Sequence, residues 1–97
     1  MNKNLKVDYK KSTGILRGIL NIVDPEGLEP GQEGGSPIDE YDDEVAKIYS
    51  FVIHNLEDVK LNKNLLADEI NRIWMESFGN TCQGVDEIVD RIIKELF

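Results

Sequence analysis

Ninety-seven residues bound this chain to one domain with a modest core. An apolar share of 40% is that of a globular protein and excludes a wholly disordered one. A formal net charge of −8 argues against nucleic acid and anionic membrane as partners, because both repel a negative surface at long range.

Further classes fall away on simple grounds. No apolar run reaches the ~18 residues a membrane span requires. The opening MNKNLKVDYKK has no apolar core of the kind a secretory leader carries. A single cysteine, Cys82, cannot form an internal disulfide. These features lead us to expect a cytoplasmic protein.

The charge is unevenly placed. Residues 1–23 carry a net +4, residues 24–44 a net −9 with no Lys or Arg, and residues 45–97 a net −3. The central 21 residues therefore account for the whole negative excess. Such a stretch attracts basic proteins, although net negative charge also serves plain solubility.

In chain order, YKKSTGILRGILNI reads as a first helix over roughly Tyr9–Ile22, with Ile15, Leu16, Ile19 and Leu20 at helical spacing. Gly14 and Gly18 share a face, which suggests close approach of another helix, since each costs about 1 kcal/mol against Ala. Asp24-Pro25 ends the helix, because the residue before Pro disfavours the α region. PEGLEPGQEGGSPI, residues 25–38, is then a long loop with three Pro and four Gly, opened by an Asx interaction from Asp24. A second helix is expected from near Asp39 to near Asn55, its first turns rich in acids that suit the helix dipole. A third, NLLADEINRIWMESF, is capped by Asn62 or Asn64 and closed by Gly79. A fourth, VDEIVDRIIKELF, begins near Val85. Loops of roughly five residues are expected between the last three helices. LKVDY is the one weak strand candidate. The expectation is a single all-α domain over residues 1–97. It is a compact bundle of about four helices, with a long acidic Pro/Gly-rich loop (24–40) between helices 1 and 2.

Catalysis lacks residues. DEYDDE does not follow the alternating oxygen pattern and central Gly of a calcium loop, so no metal ligands are assigned. A flexible acidic loop does not hold two carboxylates across a cleft as glycosidase chemistry requires. His54 has no nucleophile or orienting acid beside it in sequence, and its place near a helix C-terminus suits a structural role. Cys82 lies in TCQG with no base to activate it. No phosphate loop, dinucleotide fingerprint or His/Cys metal spacing occurs, so no cofactor and no enzymatic activity are expected. Trp74 and Phe78 read as core. Tyr41, one ring among the carboxylates of DEYDDE, reads either as an interface anchor or as a staple holding helix to loop.

ILNIVDPEGL followed by SPIDEYDDEVAKIYSFV resembles a family of small bacterial helical proteins known as domain of unknown function 1871. The resemblance rests on Asp24, Pro25 and Gly27, then on Pro37, Asp39, Glu40, Tyr41 and Asp42, and covers roughly residues 15–55. It departs from the family at Val23, where members often carry Trp, and in the inserted EPGQEGG. Some proteins of similar look are immunity proteins, including those of contact-dependent growth inhibition systems. The resemblance implies a compact all-α fold without known enzymatic activity.

Two functional readings follow. In the first, the chain is an immunity protein that covers the basic active-site cleft of a toxin, most naturally a nuclease. Glu29, Glu33, Asp39, Glu40, Tyr41, Asp42, Asp43 and Glu44 would be its partner-binding residues. In the second, it is a stand-alone cytosolic scaffold or regulatory protein with structural acidic motifs, and it dimerises through Trp74, Phe78 or Phe97.

Overall fold

The structure, a computed structural model, describes residues 9–97. Five helices occur among them and no strand: α1 (Tyr9–Val23), α2 (Asp42–His54), α3 (Leu56–Leu61), α4 (Asn64–Phe78) and α5 (Val85–Leu96). Apart from Tyr9, which opens α1, the weak strand candidate LKVDY lies outside the described residues.

The apolar spacing of each helix sets its buried face. α1 buries Leu16, Ile19 and Leu20, α2 buries Val45, Ile48 and Val52, α4 buries Leu66, Ile70, Ile73 and Trp74, and α5 buries Ile88, Val89 and Ile92. The four faces meet in one core cluster. α1 and α4 each pack against both α2 and α5, which closes the four longer helices into a ring.

α3 corrects the expected loop after α2. Asn55 interrupts the helix with φ −137° and ψ 31°, and its side-chain amide donates to the Phe51 carbonyl at 2.9 Å. LEDVKL then forms a short helix because Val59 is fully buried and fixes it against α4 and α2. Lys63, and neither Asn62 nor Asn64, is the N-cap of the next helix and makes no side-chain cap bond; Asn62 Oδ1, one residue earlier, accepts from the Asn64 amide at 3.1 Å. Gly79 ends α4 in the left-handed region with φ 76°, where a Cβ is costly.

α2 starts at Asp42, three residues later than expected. Residues 37–41 form turns instead, with Glu40 N donating to the Pro37 carbonyl at 3.2 Å and Asp42 N to the Asp39 carbonyl at 3.0 Å. Asp42, Asp43 and Glu44 occupy the first turn, where their charge complements the unpaired amides.

Gly14 and Gly18 do not serve close packing. Both are exposed, and a Cβ built on either meets nothing within 4 Å. The glycine at a close helix approach is Gly84, with φ 78° at the start of α5 and Val23 Cγ1 only 2.8 Å from where a Cβ would sit. Gly14→Ala and Gly18→Ala should each raise stability by about 0.5–1 kcal/mol, read by urea denaturation. Gly84→Ala should lower it by about 1–2 kcal/mol through the left-handed backbone alone, with the Val23 clash added.

Candidate functional site

The acidic stretch folds around Asp24. The chain leaves α1 with Asp24 N donating to the Leu20 carbonyl at 2.7 Å, and Asp24 itself takes φ 51°, a left-handed turn that Asp tolerates. Its carboxylate accepts from the amides of Leu28 at 2.9 Å and Glu29 at 3.0 Å, four and five positions on, in place of the bond two positions on that an Asx turn would make. It also accepts from the Tyr41 hydroxyl at 2.8 Å. That hydroxyl in turn accepts from the Glu26 amide at 3.0 Å. Asp24 and Tyr41 thus tie the two ends of the loop together across seventeen positions of sequence.

Tyr41 is therefore a staple and not an exposed anchor. Its relative exposure is 0%, and its ring stacks on Trp74 with centroids 5.8 Å apart. Phe78 completes the aromatic group at 5.2 Å from Trp74. Burial and the neighbouring Asp24 and Glu26 charges push the phenol well above its usual range. Trp74 has no exposed surface either, which removes it from any dimer face.

Glu26 forms the second tie. Its Oε2 accepts from the Trp74 indole at 2.9 Å and from the Asn80 amide at 3.0 Å, joining the loop to α4 and to the turn before α5. Nearby, Cys82 is buried, its amide donates to Asn71 Oδ1 at 2.9 Å, and burial pushes its thiol up to about 12. A thiol held so fully protonated is a poor nucleophile.

The eight expected binding residues separate into two groups. Asp42 accepts a bidentate pair from Arg17 at 2.6 and 2.9 Å, which joins α2 to α1, with both side chains about two-fifths exposed. Glu44 is buried at 6% exposure. Burial raises its pKa, against which the neighbouring Ser77 pulls only partly. Together with Tyr41, these two face inward or sideways into the protein. Glu29, Glu33, Asp39, Glu40 and Asp43 are exposed, and among the described residues none of these five side chains makes a hydrogen bond or ion pair.

The loop carrying the first two is folded. Ser36 N donates to the Leu28 carbonyl at 2.9 Å and Gly31 N to the Ser36 carbonyl at 2.8 Å, so residues 28–36 close on themselves. Gly35 permits this closure, since a Cβ there would sit 2.1 Å from the Glu29 carbonyl oxygen. At the loop's end, the Asn21 side-chain amide holds the Ile38 carbonyl at 3.0 Å.

Among the described residues no three His, Cys, Asp or Glu side chains converge as metal ligands. His54 is exposed at the end of α2, with Nδ1 2.6 Å from the Ser50 carbonyl of its own helix. No helix among these residues is long and apolar enough to cross a membrane. Glu26 and Asn80 were not legible as site residues, because their partners lie on elements whose meeting depends on the whole fold.

Tyr41→Phe keeps the ring and removes both hydroxyl bonds. It should cost about 1–3 kcal/mol in urea denaturation while leaving Trp74 fluorescence close to wild type. Burial raises the Asp24 pKa, but the hydrogen bonds from Tyr41 and the Glu29 and Leu28 amides outweigh it and hold the carboxylate below its usual range. Its contribution is thus complete above the ordinary carboxylate value and lost as pH falls through the lower folded value. Glu44 has the opposite sign: its raised pKa favours folding at low pH, and that advantage is lost as pH rises through the folded value. A pH series of urea midpoints should show a flatter acid limb for Asp24→Asn and a smaller decline with rising pH for Glu44→Gln.

Compared with models of protein families, with curated proteins and with solved structures, the chain gave no match.

Proposed function

We propose that this chain is a binding protein that acts by occlusion, an immunity protein whose acidic face covers the basic active-site cleft of a toxin nuclease. The observation that carries the reading is the division of the carboxylates. Asp24, Glu26, Asp42 and Glu44 are taken up in holding the fold, while Glu29, Glu33, Asp39, Glu40 and Asp43 stand exposed on the supported loop and helix start. Five like charges on neighbouring segments repel one another, and a basic surface relieves that repulsion. A nuclease cleft, built to hold phosphates, is such a surface. Its attraction to the acidic face would speed capture, which matters when free toxin is lethal. The reading requires no chemistry from the inhibitor.

The second reading, a scaffold or regulatory protein with structural motifs, draws on Asp24 and Tyr41, whose hydrogen bonds are internal. It leaves the five exposed carboxylates without a role beyond solubility.

The test uses two baits, the wild-type chain and a variant with Glu29→Gln, Glu33→Gln, Asp39→Asn, Glu40→Gln and Asp43→Asn. These sites are exposed, so the variant should fold with a stability change of at most about 0.5 kcal/mol per site. The wild type should capture a basic protein from the source cell at low salt, lose it at high salt, and block its cleavage of nucleic acid in vitro. The neutralised variant should do neither. A partner held equally by both baits would overturn the acidic-face reading, and a captured partner without nuclease activity would overturn the toxin assignment.

A further inference from the structure

The loss of Tyr41 to the core leaves the acidic face without the apolar anchor that the sequence suggested, and another apolar side chain lies exposed beside it. Ile38 is 59% exposed. Its backbone is fixed by the Asn21 amide at 3.0 Å. Its side chain lies against the loop at Gly31, where an added Cβ would stand 3.8 Å from Ile38 Cβ, Cγ1 and Cδ1. Ile38 therefore sits between the loop segment that carries Glu29 and Glu33 and the segment Asp39–Glu40 that follows it. Ile22, next to Asn21 in the last turn of α1, is 67% exposed.

A single exposed apolar residue is ordinary. Ile38 differs in being held at its backbone, set beside the loop at Gly31, and flanked by carboxylates with no base among residues 24–44. Protein interfaces concentrate their binding in a central apolar contact within a polar rim that excludes water. We propose that Ile38 is the apolar anchor of this face, and that the partner is a basic protein surface with an apolar socket flanked by Lys or Arg. The proposal rests on the acidic-face reading above and adds to it the chemistry of the partner's contact. Charge would govern the rate of encounter, and insertion of Ile38 would govern the lifetime of the complex.

The test measures binding at low salt to two synthetic probes of equal charge: a helical Lys/Leu peptide with an apolar stripe, and oligolysine. Wild type should bind the Lys/Leu peptide about tenfold or more tightly than oligolysine, the change expected for burying one aliphatic side chain. Ile38→Ser should bring the two probes to equal affinity. Leu61→Ser, at an exposed apolar residue on α3, should leave the preference intact and so exclude general stickiness. Circular dichroism confirms that both variants are folded. If Ile38→Ser keeps the full preference for the Lys/Leu peptide, the anchor is overturned while the acidic-face reading stands. If wild type binds neither probe, the acidic-face reading falls and the anchor with it.

Discussion

The hydrogen bond from the Tyr41 hydroxyl to the Asp24 carboxylate is the constraint on which the arrangement of this protein depends. It connects the residue that ends α1 to the residue that precedes α2, and so fixes both ends of a Pro/Gly-rich stretch that would otherwise cost much conformational entropy to order. The ring beneath that hydroxyl is seated on Trp74, so the polar tie and the aromatic core hold each other in place. Glu26 extends the same junction to α4 and the turn before α5 through Trp74 and Asn80. Charge-assisted bonds of this kind are stronger than neutral ones, and a partly buried carboxylate left without them would be costly.

The acidic stretch has two layers as a result. Carboxylates facing inward are satisfied by a phenol, an indole, backbone amides or Arg17. Five carboxylates face outward and are exposed, and the proposed function assigns these to a partner. The two uses are coupled, because the inner layer holds the outer one in a fixed place. On the proposed reading, a partner meeting this face would lose less ordering entropy than on an unfolded loop.

Helical spacing made the four longer helices legible, since each needs one apolar stripe and the stripes recur at i, i+3 and i+4. The same pattern missed α3, where six residues contain a single buried anchor, Val59, too few for a period to emerge. It also placed the start of α2 three residues early. The acids of Asp39–Glu44 fit a helix N-terminus equally well at several registers, and only the inward pull on Tyr41 selects one. Gly14 and Gly18 misled for a related reason: their spacing marks a shared face without saying whether that face is packed, and here it is solvated.

Sequence alone therefore determined the all-helical character of the described chain, the turn after Asp24, the cap at Gly79, and where the negative charge collects. These depend on neighbours within a few positions, which a linear reading can count. Tertiary structure decided which carboxylates are exposed, that Tyr41 belongs to the core, and that Ile38 stays exposed. Each of those depends on contacts between residues far apart in sequence, such as Glu26 with Trp74 across forty-eight positions. Whether a charged or aromatic side chain is exposed is set by the element that comes to lie over it, and no local pattern carries that information.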